Sequence, residues 1–271
     1  GGEEEGLVEG ACLTDHTWLS CNLATLALLP TQRDMKWTIP ALCSVASIGW
    51  GGRRVQRRRG VRWLFVALAM LSGGVARADV VNADPSTYRD LLGTLAPGDT
   101  LVLAPGDYPR LTLSGLHGQP DAWITITGPS TGAPAVITSE SCCNTVQLYD
   151  CSYVAVENLV VDVGGLDVDA INAKDSVSHD IRIEGCTLEH FPNDQQIVGI
   201  STKSMAWNWT IRSNRIIAPG TGMYLGNSNG AAPFIAGVVE GNLIIDGVGY
   251  CMQIKHQNAY ELLPGMPAGP S

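Results

Sequence analysis

Charge is scarce in this sequence, and positive charge scarcest. Only 16% of the 271 residues are Asp, Glu, Lys or Arg, and 17 basic side chains face 26 acidic ones, for a net charge of −9. Neutralising phosphates requires a basic surface, so nucleic acid is excluded as a partner. No apolar run is long enough to cross a bilayer: the longest, Trp63 to Leu71, is about half the ~20 residues a spanning helix needs. CxxC pairs, zinc-like His/Cys spacings, a GxSxG elbow and a phosphate-cradling glycine loop are all missing, which removes the chemistries those motifs serve. The 31 glycines follow no three-residue period, excluding collagen, and a hydrophobic content of 45% excludes global disorder.

The scarce charge is unevenly divided. Residues 1–78 hold nine Lys/Arg against six Asp/Glu, while residues 79–271 hold eight against twenty, giving +3 and −12. Residues 53–78 open with six arginines by position 62 and continue through a short apolar stretch to the ending Ala76-Arg77-Ala78, the pattern of a secretory signal cleaved before Asp79. Export follows, with a secreted, periplasmic or extracellular location and no membrane anchor left after cleavage. Residues 1–52 show no sustained period and are read as an unstructured extension.

From residue 79 onward the sequence repeats. Asp84 and Pro85 have the form of a helix start, and Tyr88, Leu91, Leu92 and Leu95 recur at helical spacing before Pro97-Gly98 stops them. Short apolar alternations follow. VAVENLVVD, IRIEGCTLE, WTIRSNRII and GVVEGNLII align on Val156, Ile183, Ile211 and Val239, at separations of 27, 28 and 28 residues. Each is preceded by a second short strand. Two or three strands per ~27 residues are too few for a propeller blade, and no leucine-rich frame is present. The expected fold is all-β, a right-handed parallel β-helix over residues 79–271 with a short N-terminal α-helix covering its open end. Asn158, Asn214 and Asn242 at matching turns are expected to stack as an amide ladder. The last strand begins a coil that AYELLPGMPAGPS does not complete, so further C-terminal coils are expected, and a monomer.

With the first strand of each coil in register and residues alternating faces, Asn172, Ser201, Tyr224 and Gln253 form one outward column. Lys174, Lys203, Gly226 and Lys255 form the next. Three of the eight basic residues after position 78 thus share a column. A lysine stack at rung spacing invites an anionic partner; alternatively, exposed strand lysines discourage edge pairing and aggregation. The six polar residues Asn172, Lys174, Ser201, Lys203, Tyr224 and Gln253 are the candidate substrate-binding set. Asp162, Asp167 and Asp169 read as turn residues rather than calcium ligands. Asp175, Asp180 and Asp194 are expected in solvent. Cys142 or Cys143 with Cys151 is the closest disulfide pairing, while Cys186 and Cys251 read as small buried residues.

PGDTLVLAPGDY at residues 97–108, the ~27-residue coils and QIKHQN at residues 253–258 resemble the pectate-lyase-like parallel β-helix superfamily. Within it they are most similar to the chondroitinase B and alginate lyase family. The resemblance covers residues 80–258. It implies β-elimination on a uronic-acid-containing polysaccharide, with calcium or basic side chains neutralising the carboxylate, Lys255 as the base, and an assisting Arg one coil later, beyond residue 271. The acidic metal ligands that the family places five and seven residues before its Lys correspond here to Tyr250 and Val248, so that metal site is not expected. His256, next to Lys255, faces inward on alternation. A non-catalytic glycan-binding or cell-surface module is the alternative, and epimerisation or glycoside hydrolysis a further enzyme reading. Hydrolysis needs paired carboxylates, which the two outward columns do not contain.

Overall fold

The computed structural model describes residues 78–255 and 258–268. The expected extension, almost all of the signal segment, and His256 lie outside them. The described chain is a parallel β-helix of about six coils. Each complete coil contributes a strand to each of three parallel sheets, one of nine strands and two of six. The nine-stranded sheet runs from Val80–Ala83 through Cys151–Glu157 and Ser178–Glu184 to the paired segments of the last coils. A second sheet stacks Gly106–Pro109, Ala135–Thr138, Val160–Asp162, Thr187–Glu189, Arg215–Ile217 and Leu243–Ile245. The third stacks Leu111–Ser114, Val146–Tyr149, Ile171–Ala173, Val198–Thr202, Thr221–Leu225 and Met252–Ile254; it carries the candidate site.

The repeat read from the sequence is the observed register: Val156, Ile183, Ile211 and Val239 lie on successive rungs. Inward rows are apolar because each side chain is enclosed by its neighbours above and below. Val146, Ile171 and Ile200 are wholly buried in one such row, each burial stabilising the coil by about 1.5–3 kcal/mol. The helix is shorter than its sequence pattern, only Tyr88–Leu92. Asp84 caps the turn before it, its carboxylate accepting from the Ser86 and Thr87 amides and hydroxyls. Tyr88 and Leu92 join the core, and Tyr88 packs edge-on against Tyr108.

The asparagine ladder is offset from its expected form. Asn214 Nδ2 donates to Asn242 Oδ1 at 2.9 Å, and the Cys186 amide donates to Asn214 Oδ1 at 2.9 Å. Asn158 lies one residue earlier in register, in a row with Gly185, Ser213 and Gly241. All four have left-handed backbone, φ between 54° and 65°, as the corner into the next sheet requires. The ladder therefore begins at Asn214, and the preceding rungs fill its place with Cys186 and Leu159.

Asp180 is not a solvated residue. It also has left-handed backbone, φ 52°, and its carboxylate accepts from His179 Nδ1 at 2.7 Å and Asn208 Nδ2 at 3.1 Å. The His179 ring stacks on Trp207 at 4.4 Å. Trp207 lies in the outward His179 row, yet Ile235, Met266, Tyr260 and Leu263 bury it. The C-terminal segment thus packs back over the nine-stranded sheet.

Cys142 is joined to its neighbour Cys143 rather than to Cys151. Cys151 and Cys186 are free thiols in the core. Burial pushes Cys151 up to about 11 and Cys186 up to about 12. The thiolate is the reactive form, so both are expected to resist iodoacetamide at pH 8 in the native protein and to react on unfolding, as counted by mass spectrometry. With the folded pKa raised, stability is intact below the thiol's ordinary pKa near 9 and falls as pH rises toward these values.

Candidate functional site

The third sheet sets the site. Its registers pair Asn172 with Ser201, Ser201 with Tyr224 and Tyr224 with Gln253, so the expected column exists. It extends two coils back through Gln147 and Thr112. One residue further along each strand, Lys174, Lys203, Gly226 and Lys255 follow the same stacking, with Tyr149 and Ser114 before them.

Depth divides this column. Tyr224 and Gln253 are half-buried, but Asn172 and Ser201 are fully buried. What covers them is Asp169, three residues before Asn172, itself only 4% exposed. One of its oxygens accepts from Asn172 Nδ2 at 2.9 Å, Ser201 Oγ at 2.9 Å and Lys203 Nζ at 2.6 Å. The other accepts from the Val198 amide at 3.0 Å. Asp169 is therefore no turn residue but a buried acceptor joining two rungs, and Asn172 and Ser201 lie beneath Lys203 rather than beside it. Asn172 Oδ1 is buried without a hydrogen-bond partner.

The pairing changes the electrostatics of the lysine column. Lys203 is ion-paired and about one-third exposed at its side chain, Lys174 is exposed, and Lys255 sits with Nζ 5.5 Å from the Tyr224 ring centroid. Among the described residues no carboxylate pairs with Lys174 or Lys255. Gly226 is needed for its backbone, φ 88°, and a Cβ there would lie 3.4 Å from Lys255 Cβ. The gap in the column is thus a turn requirement as well as an absence of obstruction.

A cleft of about 380 Å³ opens over these rungs, lined by Lys203, Tyr224, Gln253, Tyr250, Gln195 and Gln196. Burial raises the Tyr224 phenol, which a hydrogen bond to Ser228 partly offsets, so the hydroxyl is a neutral donor at pH 7. The cleft therefore presents one ion-paired ammonium, amide donors and acceptors, and two phenols. That set suits a polar, anionic, hydroxyl-rich ligand. Lys174 lies on the same face outside the cleft wall, and Lys255 borders it across Tyr224. Gln195 and Gln196 carry no signal in the sequence, and Asp169 and Tyr250 enter its reading only as a turn residue and as the occupant of a metal-ligand position. A carboxylate two residues before a strand, with Asn three positions on, is the one signal for Asp169.

The residues at the positions where the resemblance implies metal ligands do not fit calcium. Val248 is apolar, and Tyr250 offers a phenol where hard cations take carboxylates and carbonyls. Asp169 has its oxygens occupied by four donors. Asp162 accepts from the Gly164 amide and pairs with His190 at 3.0 Å. Among the described residues no cluster of three or more His, Cys, Asp or Glu is arranged to hold a metal.

Carboxylates do stack on the nine-stranded sheet, where Glu157, Glu184, Arg212 and Glu240 occupy successive rungs. Arg212 bridges Glu184 at 2.7 Å and Glu240 at 3.1 Å. Burial and the neighbouring Glu184 raise Glu157. Neither Glu157 nor Glu184 lines the cleft over Lys203, so they supply no acid–base pair to it.

No protein-family model and no curated protein matches the chain. Several solved structures are similar. An alginate lyase from Paenibacillus sp. str. FPU-7 is 19% identical over 59% of this chain and 57% of its own, with a TM-score of 0.49. A mannuronic-acid-specific polysaccharide family 6 lyase from human gut microbiota is 15% identical over 66% of this chain and 52% of its own, TM-score 0.39. The PL6 family alginate lyase AlyGC is 17% identical over 57% of this chain and 27% of its own, TM-score 0.31. This chain spans little more than half the length of the first two and about a quarter of the third, and none of them assigns it an activity.

Proposed function

We propose that this protein is an exported, lyase-like β-helix protein that acts on uronic-acid-containing polysaccharides by β-elimination. The observation that carries the reading is the cleft over Lys203, Tyr224 and Gln253, bordered by Lys255, in a region of net charge −12 whose lysines all stand on one sheet. In β-elimination the proton on the carbon α to the carboxylate leaves, and a carbon–carbon double bond forms. The bond from the β carbon to the glycosidic oxygen breaks, and that oxygen takes up a proton.

Each role has a residue of suitable chemistry. Lys203, fixed by Asp169 and partly open to solvent, faces the substrate carboxylate as a positioned cation. Lys255, without a carboxylate partner, is the base. Tyr224, whose burial keeps its phenol protonated, stands between them as a donor to the departing oxygen. Location outside the cytoplasm suits such a substrate and rests on residues 53–78. Among the described residues no helix is long and apolar enough to cross a membrane.

The test is ultraviolet absorbance of unsaturated uronate product after incubation with alginate, pectate and a dermatan-type glycan. Product is expected from one of them, and Lys255→Ala is expected to lower kcat by about a hundredfold or more, the scale of losing a general base. Binding without product on all three substrates supports the glycan-binding module instead.

A further inference from the structure

A second cleft opens on the same sheet face, at its N-terminal end. It measures about 440 Å³ and is lined by Arg89, Arg110, Thr112, Ser114 and Glu140, with Tyr88 at its side. Thr112 and Ser114 are the first rungs of the two outward columns that lead to Ser201 and Lys203.

The two arginines differ in what they already hold. Arg89 is pinned, its Nε donating to the Tyr88 hydroxyl at 2.9 Å and its Nη2 to the Pro109 carbonyl at 2.8 Å. Arg110 makes no side-chain hydrogen bond or ion pair among the described residues, and its Nε is buried without a partner. Its backbone is left-handed, φ 44°, placing it at the corner that opens the first strand of the sheet. Glu140, the one carboxylate in the lining, forms no ion pair with either arginine. A buried guanidinium donor without an acceptor costs free energy, and the planar fork of arginine matches a carboxylate.

Position then links the two clefts. Three rungs separate the Thr112 row from the Ser201 row and four separate it from Tyr224, or ~14 and ~19 Å at ~4.8 Å per rung. Gln147, Tyr149 and Lys174 occupy the rungs between, Lys174 exposed and Tyr149 43% exposed. Five of the eight basic residues after position 78 thus lie along one path: Arg89, Arg110, Lys174, Lys203 and Lys255.

We propose that the Arg110 cleft is a distal subsite that binds a carboxylate of the same acidic glycan chain whose other sugars occupy the cleft over Lys203, so that the face reads chain length. This inference rests on the glycan reading above. It is tested by calorimetric titration with oligouronates of defined length, dimer to octamer, which requires no turnover. Arg110→Ala is expected to weaken octamer binding about tenfold and to leave the dimer unchanged. Thr112→Glu, which places a repelling carboxylate at an exposed strand position, should do the same, and Arg110→Lys should recover only part of the loss. Lys255→Ala weakens every length.

Equal losses for dimer and octamer in Arg110→Ala and Thr112→Glu overturn the subsite, as does octamer binding unchanged in both. If Lys255→Ala weakens binding while those two do not, only the distal subsite fails. If none of the three variants moves binding, the glycan groove fails with it.

Discussion

Asp169→Ala is expected to destabilise the β-helix by about 3 kcal/mol and to weaken acidic-glycan binding in the fraction that stays folded. The carboxylate is nearly inaccessible and accepts from a lysine, an asparagine, a serine and a backbone amide. Removing one partner of a buried charge pair costs about 3–5 kcal/mol when the other charge stays buried. Lys203 is about one-third exposed, which brings the effect toward the lower end. The Asn172 amide and the Val198 N–H lose an acceptor as well. For a domain of this size, about 3 kcal/mol lowers Tm by roughly 6–12 °C. Asp169→Asn keeps the shape and one oxygen, so a smaller shift is expected. A Tm within 2 °C of the parent for Asp169→Ala shows that the carboxylate is not the joint between these rungs.

Gly220→Ala is expected to damage the wall of the cleft at a comparable cost. A Cβ on residue 220 would lie 1.8 Å from the Asp194 carbonyl oxygen and 2.5 Å from that of Ile197. Both are backbone atoms, so no side-chain rotation relieves the overlap. The segment they belong to carries Gln195 and Gln196, and it is tied to the next residue along: the Thr221 amide donates to the Ile197 carbonyl and its hydroxyl to the Gln195 carbonyl. Forced overpacking of this kind costs about 1–3 kcal/mol, more where only backbone can yield. The expected readouts are a lower Tm and weaker oligouronate binding together. Loss of stability with unchanged binding shows that the Gln195–Gln196 wall does not contact the ligand.

Much of the fold is legible without coordinates because a parallel β-helix is nearly one-dimensional. Val156, Ile183, Ile211 and Val239 had to share an inward row, since a slip by one residue turns every apolar side chain outward. The same constraint fixes Asn172 against Ser201 and Tyr224 against Gln253. Corners are less legible. Asn158 follows Val156 by two residues and Asn214 follows Ile211 by three, so one takes the left-handed corner position and the other the ladder position beyond it.

For this protein, then, the sequence determined the period, the parallel stacking, the inward rows and the placement of its lysines on one sheet, because each follows from local alternation and a repeat of 27 or 28 residues. Only the tertiary structure decided what those residues face. Asp169 reaches to Lys203 on the next rung, 34 positions away; Arg89 and Arg110 come to line one cleft; Trp207 is buried by a segment more than fifty residues later. These placements depend on which segments the coils bring together. Alternation specifies the face of a sheet on which a residue stands, whereas burial and charge pairing depend on which neighbours the coils bring above it.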